Sequence, residues 1–423
     1  MTYPLPYESY EQVEIQGNGA AQALELMRRF SWDLEVAHMI VVDFEVPAEL
    51  HDDSDFAPVC KMEPNAEDLA PYQQHLKQFF GSSSSKKVVP FLGVHRESRR
   101  HVALLKFYVE QMGCKILKVH RIWKFVQKPW LRSFMKDQTD KRAASSDEVV
   151  RNVLKLGPNS VYGMLLQNKS NYKNTSIYTD PVKWERASCN PRTKDWDILD
   201  MSEEGFLGLV DLAKPEGSIL DTPRFAGWAV LEISKLAMYE AYYSFFKAEY
   251  GEAVKPLMTD TDSMILHITS PTWPVETMQR ANLDPSCPVQ FDLSKVFGAC
   301  PNKGKLGCFK VEEGADIIHE GVFLMAKMYA LKQYSPEGVE HTEKKGKGIP
   351  TKTLKQTKTF EHYYRMLQEP YKDFVEFRRI GSKKQRLEHY RQRKKGLGCF
   401  NDRVFQGSPW EASPSGHWRN TGS

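Results

Sequence analysis

The stretch VKPLMTDTDSMILHI, residues 254–268, places two aspartates between two apolar arms. The arms predict a β-hairpin whose tip carries Asp260 and Asp262. Carboxylates two residues apart lie on the same side of an extended chain, and the arms would hold them rigidly on a sheet. Hard oxygen ligands in this arrangement suit magnesium. An Asp-rich β-turn without a ligand is the alternative, because aspartate is a common turn residue.

A second acidic strand is predicted far upstream, in VVDFEV at residues 41–46, which Pro47 closes. Its β-branched and aromatic residues indicate a buried strand with Asp43 near its end. Asp43 could supply a third carboxylate to the Asp260 and Asp262 pair. Clustered acids on adjacent strands would be unfavourable unless a divalent cation neutralised them, so the two segments together predict a metal site.

The segment SSDEVVRNVLKLGPNSVYG, residues 145–163, combines a helix pattern with a Gly-Pro step. Ser145 and Glu148 have the spacing of a capping box, so a helix is expected to begin near Ser146. Gly157-Pro158 should end or distort this helix, because proline lacks the backbone N–H and clashes with the preceding turn.

A continued helix would place Lys155, Asn159 and Tyr162 on one face, since they are spaced i, i+4 and i+7. That face would carry a cation, an amide and a phenol, which is a set of groups able to bind a polar ligand. A solvated helix side followed by a turn is the alternative, because Asn, Ser and Gly are ordinary turn residues.

Length and composition limit the class of protein. With 423 residues, 41% hydrophobic and 26% charged, the chain can bury a core and form two or three subdomains. No apolar run approaches the roughly 20 residues of a membrane span, and the first residues lack a signal segment, so we expect an intracellular, soluble protein. Seven cysteines without a C-x-x-C pair indicate neither a zinc ribbon nor a disulfide framework.

The small net charge of +4 conceals a strong asymmetry. Residues 1–80 hold 15 Asp/Glu against 4 Lys/Arg, whereas residues 341–400 hold 17 Lys/Arg against 6 Asp/Glu. A second basic segment, HRIWKFVQKPWLRSF at residues 120–134, interleaves cations with aromatic rings. This pattern is typical of surfaces that bind nucleic-acid phosphates and stack on bases, although solvated charge runs are the simpler alternative.

Three of these segments, in chain order, resemble the motifs of family B DNA polymerases. VVDFEVP is similar to a divergent motif A, KLGPNSVYG to motif B and LMTDTDSMI to motif C. FLMAKMYALK, residues 323–332, resembles the Lys-any-Tyr segment with which these enzymes hold the primer terminus. The wider sequence is similar to the viral and organellar, protein-primed-like branch, including polymerases of Maverick or Polinton-type DNA transposons.

The resemblance implies roles for the acidic residues. Asp43 and Asp262 would bridge two Mg²⁺ ions, the backbone carbonyl of Phe44 would complete one coordination shell, and Asp260 would be an accessory catalytic acid. The implied reaction joins a primer 3′-hydroxyl to the α-phosphate of a deoxynucleoside triphosphate.

The resemblance also implies binding roles. Lys155 would contact the triphosphate, Asn159 and Tyr162 would border the sugar and nascent base pair, and Lys327 and Tyr329 would position the primer strand. The expected partners are primer-template DNA and deoxynucleoside triphosphates, with a terminal protein primer as a further candidate and no membrane.

The implied fold is α+β, a right hand with an antiparallel-sheet palm, helical fingers and a basic thumb. DNA contacts in the thumb are expected from Lys344, Lys345 and Lys347. The expected domains are an N-terminal palm part with motif A and a loop insertion (1–95), fingers with motif B (96–170), a loop-rich insertion (171–225), a C-terminal palm part with motif C and the Lys-any-Tyr segment (226–335), and a basic thumb with a disordered tail (336–423).

Departures from the family pattern leave two functions open. Val46 stands where relatives carry a tyrosine that excludes a 2′-hydroxyl, and Gly157-Pro158 replaces helix-compatible residues. Only 42 residues precede Asp43, so the chain is expected to be a polymerase core without the exonuclease domain. An active polymerase core of a mobile element or virus-like replicon is one hypothesis, and a catalytically decayed copy that only binds nucleic acid is the other. A reverse transcriptase fits less well, because its paired aspartates would be adjacent.

Overall fold

The computed structural model of the protein describes residues 1–63, 69–81, 85–169, 172–203, 205–213, 221–383 and 386–421. The chain forms two compact units: unit 1 comprises residues 1–143, 229–378 and 391–423, and unit 2 comprises 144–228 and 379–390. Helices and strands are both abundant in the described residues, which confirms the mixed α and β content expected from the sequence. No described helix is long and apolar enough to cross a bilayer.

The strands are β1 (Leu5–Val13), β2 (Val36–Glu45), β3 (Val59–Met62), β4 (Lys87–Pro90), β5 (His95–His101), β6 (Lys115–Lys128), β7 (Lys173–Tyr178), β8 (Thr193–Ser202), β9 (Gly205–Ala213), β10 (Val254–Asp260), β11 (Ser263–Ile268), β12 (Phe291–Asp292), β13 (Phe309–Lys310), β14 (Ile317–Met325), β15 (Met328–Tyr334), β16 (Glu340–Gly346), β17 (Phe374–Lys383), β18 (Arg386–Lys395), β19 (Phe405–Ser408) and β20 (Glu411–Ser413). The helices are α1 (Gly19–Arg29), α2 (Pro71–Phe80), α3 (Val102–Glu110), α4 (Arg132–Ala144), α5 (Glu148–Leu165), α6 (Pro181–Ser188), α7 (Arg224–Tyr239), α8 (Ala248–Tyr250), α9 (Pro274–Leu283), α10 (Ser294–Phe297), α11 (Thr351–Thr357) and α12 (Phe360–Gln368).

An antiparallel sheet in the order β1-β6-β2-β5 carries the motif A segment in unit 1. β2 is an inner strand, and Ile40, Val42 and Phe44 are fully buried. Burial of such a side chain contributes about 1.5–3 kcal/mol, which fixes the strand in the core. The buried strand predicted from VVDFEV is therefore confirmed.

The segment that follows β4 differs from the sequence prediction. RESRRHVALLKFYVEQMG, residues 96–113, has the composition of one helix but divides into most of β5 and α3. His101 marks the junction, because its Nδ1 accepts the Ala103 N–H at 3.2 Å and so caps α3. The apolar helical pattern begins only at Val102, and the arginine-rich residues before it pair with β2.

The hairpin predicted around Asp260-Thr261-Asp262 is confirmed as β10 and β11, which pair antiparallel up to Asp260 and Ser263. β14, β15 and β16 form a second antiparallel sheet in chain order. α7 continues into a π-helical segment, Glu240–Lys247, and then into α8. Gly251 follows with a φ of 55°, as expected for a glycine that ends a helix.

Unit 2 contains an ordered sheet where a loop-rich insertion was expected. Its strands lie in the order β7-β9-β8, and Trp184 of α6 packs against Gly208, where a Cβ atom would lie 2.3 Å from the ring. The prediction was wrong because strands exposed on one face carry many polar residues and lack apolar runs. Residues 171, 204 and 214–220 of this insertion lie outside the described residues.

Helix α5 in unit 2 runs without interruption through Pro158, so the predicted early end at Gly157-Pro158 is wrong. Its N-cap is Asp147, whose side chain accepts the N–H groups of Val149 and Val150, rather than the expected Ser145 capping box. Residues 96–143, expected to share the fingers domain with this helix, belong to unit 1.

The C-terminal segment of unit 1 is ordered up to residue 421, which corrects the expected disordered tail. The Ser415 carbonyl accepts the Leu92 N–H at 2.8 Å, and the Trp418 N–H donates to Nδ1 of His51 at 3.0 Å. The other ring nitrogen of His51 lies 3.0 Å from the Val46 carbonyl. These long-range bonds, which a polar local sequence does not indicate, hold the segment beside the end of β2.

Candidate active site

Asp43 lies on β2 at a point where both neighbouring strands are irregular. On β5, Ser98 pairs with Val42 and His95 pairs with Phe44, so two β5 residues stand opposite Asp43 alone. On β6, the register shifts on either side of Asp43. β-bulges of this kind re-aim side chains and are over-represented next to active sites.

The Asp43 carboxylate is mostly buried, with 9% of the residue exposed, and it is bonded through one oxygen. Oδ1 accepts the Glu97 N–H at 2.6 Å, and Nε2 of His120 lies 2.8 Å from the same atom. Burial alone would raise the pKa of Asp43, but the Glu97 and His120 contacts, with Arg96 nearby, outweigh burial and hold that pKa below its usual range. Asp43 is therefore an anion at neutral pH.

Strained backbone recurs at the predicted site residues. The described residues other than glycine with a positive φ are Ser9 (58°), Glu97 (43°), Thr261 (64°) and Lys327 (64°). Glu97 contacts a predicted site residue, Thr261 lies between two of them, and Lys327 is itself one. Such strain persists only where the surrounding structure imposes it, and it is concentrated at functional sites.

The tip of the β10–β11 hairpin is a two-residue turn formed by Thr261 and Asp262. The Asp262 N–H donates to the Asp260 carbonyl at 2.7 Å, and Oγ1 of Thr261 donates to Oδ1 of Asp260 at 3.3 Å. A β-branched residue with positive φ is a genuine outlier in such a turn. The result is a rigid tip that exposes Asp262 and half-buries Asp260.

Lys327 lies in the corresponding turn between β14 and β15, which Met325 and Met328 close. Its Nζ is 3.6 Å from Oδ1 of Asp260. Tyr329 follows on β15, where burial first, and then nearby carboxylates that include Asp260, raise the pKa of its phenol. The structure therefore brings the acidic tip and the Lys-any-Tyr segment together.

Lys344, Lys345 and Lys347, the lysines expected to contact DNA, differ in their surroundings. Lys345 pairs across the sheet with Tyr329 and forms an ion pair with Glu343 at 2.6 Å. The Lys344 ammonium donates to the Lys358 carbonyl, so it is engaged within the fold. Lys347 is exposed, which leaves its charge accessible to a ligand.

The residues of the segment that resembles motif B lie on α5 in unit 2. Because α5 is continuous, Lys155, Asn159 and Tyr162 share one helical face as their spacing predicts. Lys155 and Asn159 are exposed, and partial burial raises the pKa of the Tyr162 phenol. A neutral phenol and an ammonium on one face can bind polar groups of a nucleotide.

The described residues include no group of three or more His, Cys, Asp or Glu side chains arranged to hold a metal ion. Mg²⁺ commonly binds through one or two carboxylates and completes its shell with substrate phosphates and water. The ionised Asp43 and the exposed Asp262 fit that donor chemistry. The Phe44 side chain is buried and stacked on His95, with ring centroids 4.4 Å apart, so only its backbone could serve as a ligand.

Two residues at this site were not identified from the sequence, His120 and Glu97. Their contacts with Asp43 depend on bulges in β5 and β6, and the mostly polar stretches RESRRH and KVHR lack the apolar alternation from which a bulge could be located. The local sequence marks His120 only as part of a basic segment with interleaved aromatic residues.

Comparison with solved structures finds likeness to phi29 DNA polymerase. No family model and no curated protein match the chain. Phi29 DNA polymerase in an orthorhombic crystal form is 13% identical with a TM-score of 0.49, over 93% of this chain and 55% of that chain. Its binary complex with primer-template DNA is 14% identical with a TM-score of 0.47, over 93% and 55%.

The ternary complex of phi29 DNA polymerase with primer-template DNA and incoming nucleotide substrates is 13% identical with a TM-score of 0.49, over 94% of this chain and 55% of that chain. The chain thus spans little more than half the length of these structures. At this identity and TM-score the likeness decides neither activity nor partners, which are inferred below from the residues.

Proposed function

We propose that the chain is the core of a DNA-directed DNA polymerase of a mobile element or virus-like replicon, which extends a primer by two-metal phosphoryl transfer. The observation that carries the proposal is the meeting of two strained turns, in which Lys327 lies 3.6 Å from Asp260. An acidic tip and a Lys-any-Tyr strand, distant in sequence, thereby form one surface that offers carboxylates to a cation and an ammonium to a phosphate.

In the proposed reaction the primer 3′-oxygen bonds to the α-phosphorus as the bond from that phosphorus to pyrophosphate breaks, and the hydroxyl proton passes to solvent. Two Mg²⁺ ions, when bound, would activate the hydroxyl and neutralise the phosphates. Asp43 and Asp262 would hold them, with the Phe44 carbonyl as a further ligand. Asp260 would act beside them and orient Lys327.

The remaining predicted residues would bind the substrates. Lys155 would pair with the triphosphate, and Asn159 and Tyr162 would border the sugar and base. Lys327 and Tyr329 would hold the primer, because an ammonium and a protonated phenol both donate hydrogen bonds to phosphate oxygens. The basic thumb, with Lys344, Lys345 and Lys347, would follow the duplex backbone.

A decayed copy that only binds nucleic acid remains the second candidate. Val46 favours it, because this buried residue replaces the tyrosine of relatives. Gly157-Pro158 gives it less support than the sequence suggested, since α5 continues through the proline.

Primer extension with Mg²⁺ tests the proposal. The wild type should extend a primer, whereas Asp43→Asn and Asp262→Asn should lose extension and still bind primer-template, because binding depends mainly on the basic segments. If the wild type binds DNA without extending it, the second candidate is correct. If both variants extend at the wild-type rate, the acidic residues are not catalytic.

A further inference from the structure

The two oxygens of the Asp43 carboxylate have different surroundings. Oδ1 accepts a hydrogen bond from the Glu97 N–H at 2.6 Å, and Nε2 of the His120 imidazole lies 2.8 Å from the same oxygen. Within the described part of the chain, Oδ2 takes part in no hydrogen bond or ion pair. One oxygen is thus held by the protein, and the other is left for a ligand.

His120 reaches Asp43 because of a bulge in β6. Arg121 pairs with Val41 and Val119 pairs with Val42, so His120 is the extra residue between them. A bulged residue is left out of the ladder and its side chain is re-aimed. Nε2 of His120 is buried and lies 2.8 Å from Oδ1, but the contact does not have the geometry of a hydrogen bond, so it is a close polar contact.

Glu97 reaches Asp43 through backbone strain. It lies in the bulge of β5 opposite Asp43, and its φ of 43° turns its N–H toward the carboxylate. A residue other than glycine in this conformation is destabilised by about 1–3 kcal/mol. Two independent irregularities, one on each neighbouring strand, therefore converge on the same carboxylate oxygen.

We propose that His120 is a positioning residue for Asp43: together with the Glu97 N–H it fixes Oδ1 and thereby directs Oδ2 toward the catalytic cation. This inference rests on the proposed function. Carboxylates that bind metals are generally oriented by hydrogen bonds from neighbouring groups, and loss of such a group typically weakens metal affinity 10- to 100-fold. His120 would act through Asp43 and would touch neither nucleotide nor primer.

The experiment measures Mn²⁺ affinity by electron paramagnetic resonance, using the full chain with dideoxy-terminated primer-template and the next dNTP. His120→Leu removes the donor, His120→Gln keeps an N–H at similar reach, and His38→Leu, at a half-buried histidine of the same sheet, is the control. Single-turnover extension and thermal unfolding are measured on the same proteins.

We expect His120→Leu to weaken Mn²⁺ binding at least tenfold and to slow single-turnover extension, with little change in the dNTP concentration for half-maximal rate. His120→Gln should recover most of both, and His38→Leu should behave as the wild type. Wild-type Mn²⁺ affinity in His120→Leu would overturn the role of His120. So would equal loss in the Leu and Gln variants, because the donor would then be irrelevant.

The two proposals fail in distinguishable ways. If the wild type extends primers and His120→Leu does so equally well, only the role of His120 is wrong. If the wild type shows neither extension nor Mn²⁺ binding that depends on Asp43, the polymerase function fails, and the role of His120 fails with it.

Discussion

Lys327 and Asp260 contact each other from two turns that are both strained. The Lys327 ammonium lies 3.6 Å from Oδ1 of Asp260, while Lys327 itself and Thr261, the residue after Asp260, each have a φ of 64°. An exposed ion pair contributes at most about 1 kcal/mol, so it does not offset the strain of both turns. The two turns are therefore better explained by function than by stability.

Replacing Thr261 by glycine tests the strain at the acidic tip. Glycine adopts positive φ without steric penalty, so Thr261→Gly should leave the free energy of unfolding unchanged or raise it by about 1 kcal/mol. Urea denaturation measures this effect. Thr259→Gly, in the regular part of β10, is the control and should lower the free energy by about 1 kcal/mol. Equal destabilisation by both changes would contradict strain at Thr261.

Removal of the Lys327 ammonium should weaken DNA binding with little effect on stability. Its side chain is 60% exposed, so Lys327→Ala should change the unfolding free energy by no more than about 0.5 kcal/mol. Loss of one phosphate contact should flatten the slope of log affinity against log salt by about 0.9. Fluorescence anisotropy with labelled primer-template at several salt concentrations measures the slope. Lys61→Ala, in the acidic N-terminal region, is the control, and an unchanged slope for Lys327→Ala would exclude the contact.

Two buried histidines should make the protein sensitive to acid. Burial lowers the pKa of His95 to about 4 and that of His101 to about 4, below the ordinary value of about 6.5. Between pH 4 and pH 6.5 these two imidazoles bind protons in the unfolded chain but not in the folded chain. The free energy of unfolding should therefore fall as the pH decreases from 6.5 toward 4.

Each histidine should contribute up to about 1.4 kcal/mol per pH unit to this loss. Urea titrations at several pH values measure it. His95→Phe should reduce the slope of the unfolding free energy against pH, because it removes one titrating imidazole. Phenylalanine can keep the stacking on Phe44, so the fold should be retained. His75→Phe, at an exposed position, is the control, and an equal slope in wild type and His95→Phe would refute the assignment.

Replacing only one member of the buried Arg100–Glu232 ion pair should strongly lower the free energy of unfolding. The guanidinium and carboxylate are 3.2 Å apart and almost fully buried. Glu232→Leu leaves an uncompensated charge and should lower the free energy of unfolding by about 3–5 kcal/mol. The double variant Arg100→Met with Glu232→Leu should recover much of that loss, measured by urea denaturation. Strictly additive losses would mean that the two groups are not coupled.

Sequence patterns predicted the elements that bury apolar residues and missed those fixed by distant contacts. β2 and the β10–β11 hairpin were predictable because apolar runs and turn residues are local signals. The sheet of unit 2 was not, since strands such as β8 expose polar residues. Pro158 lies within α5, although proline is disfavoured inside a helix because it lacks a backbone N–H. The contacts of His120 and Glu97 arise from bulges in mostly polar stretches, where no apolar alternation shows the position of the extra residue.

The bond between the Trp418 N–H and His51 has a consequence for synthesis of the chain. His51 lies next to the end of the motif A strand, yet its partner is translated 367 residues later. The ribosome must therefore release most of the chain before this edge of the site acquires its final contacts. A chain that ended between residues 401 and 414 would still contain every motif discussed above, but it would lack Trp418, and Nδ1 of His51 would lose the N–H that it accepts.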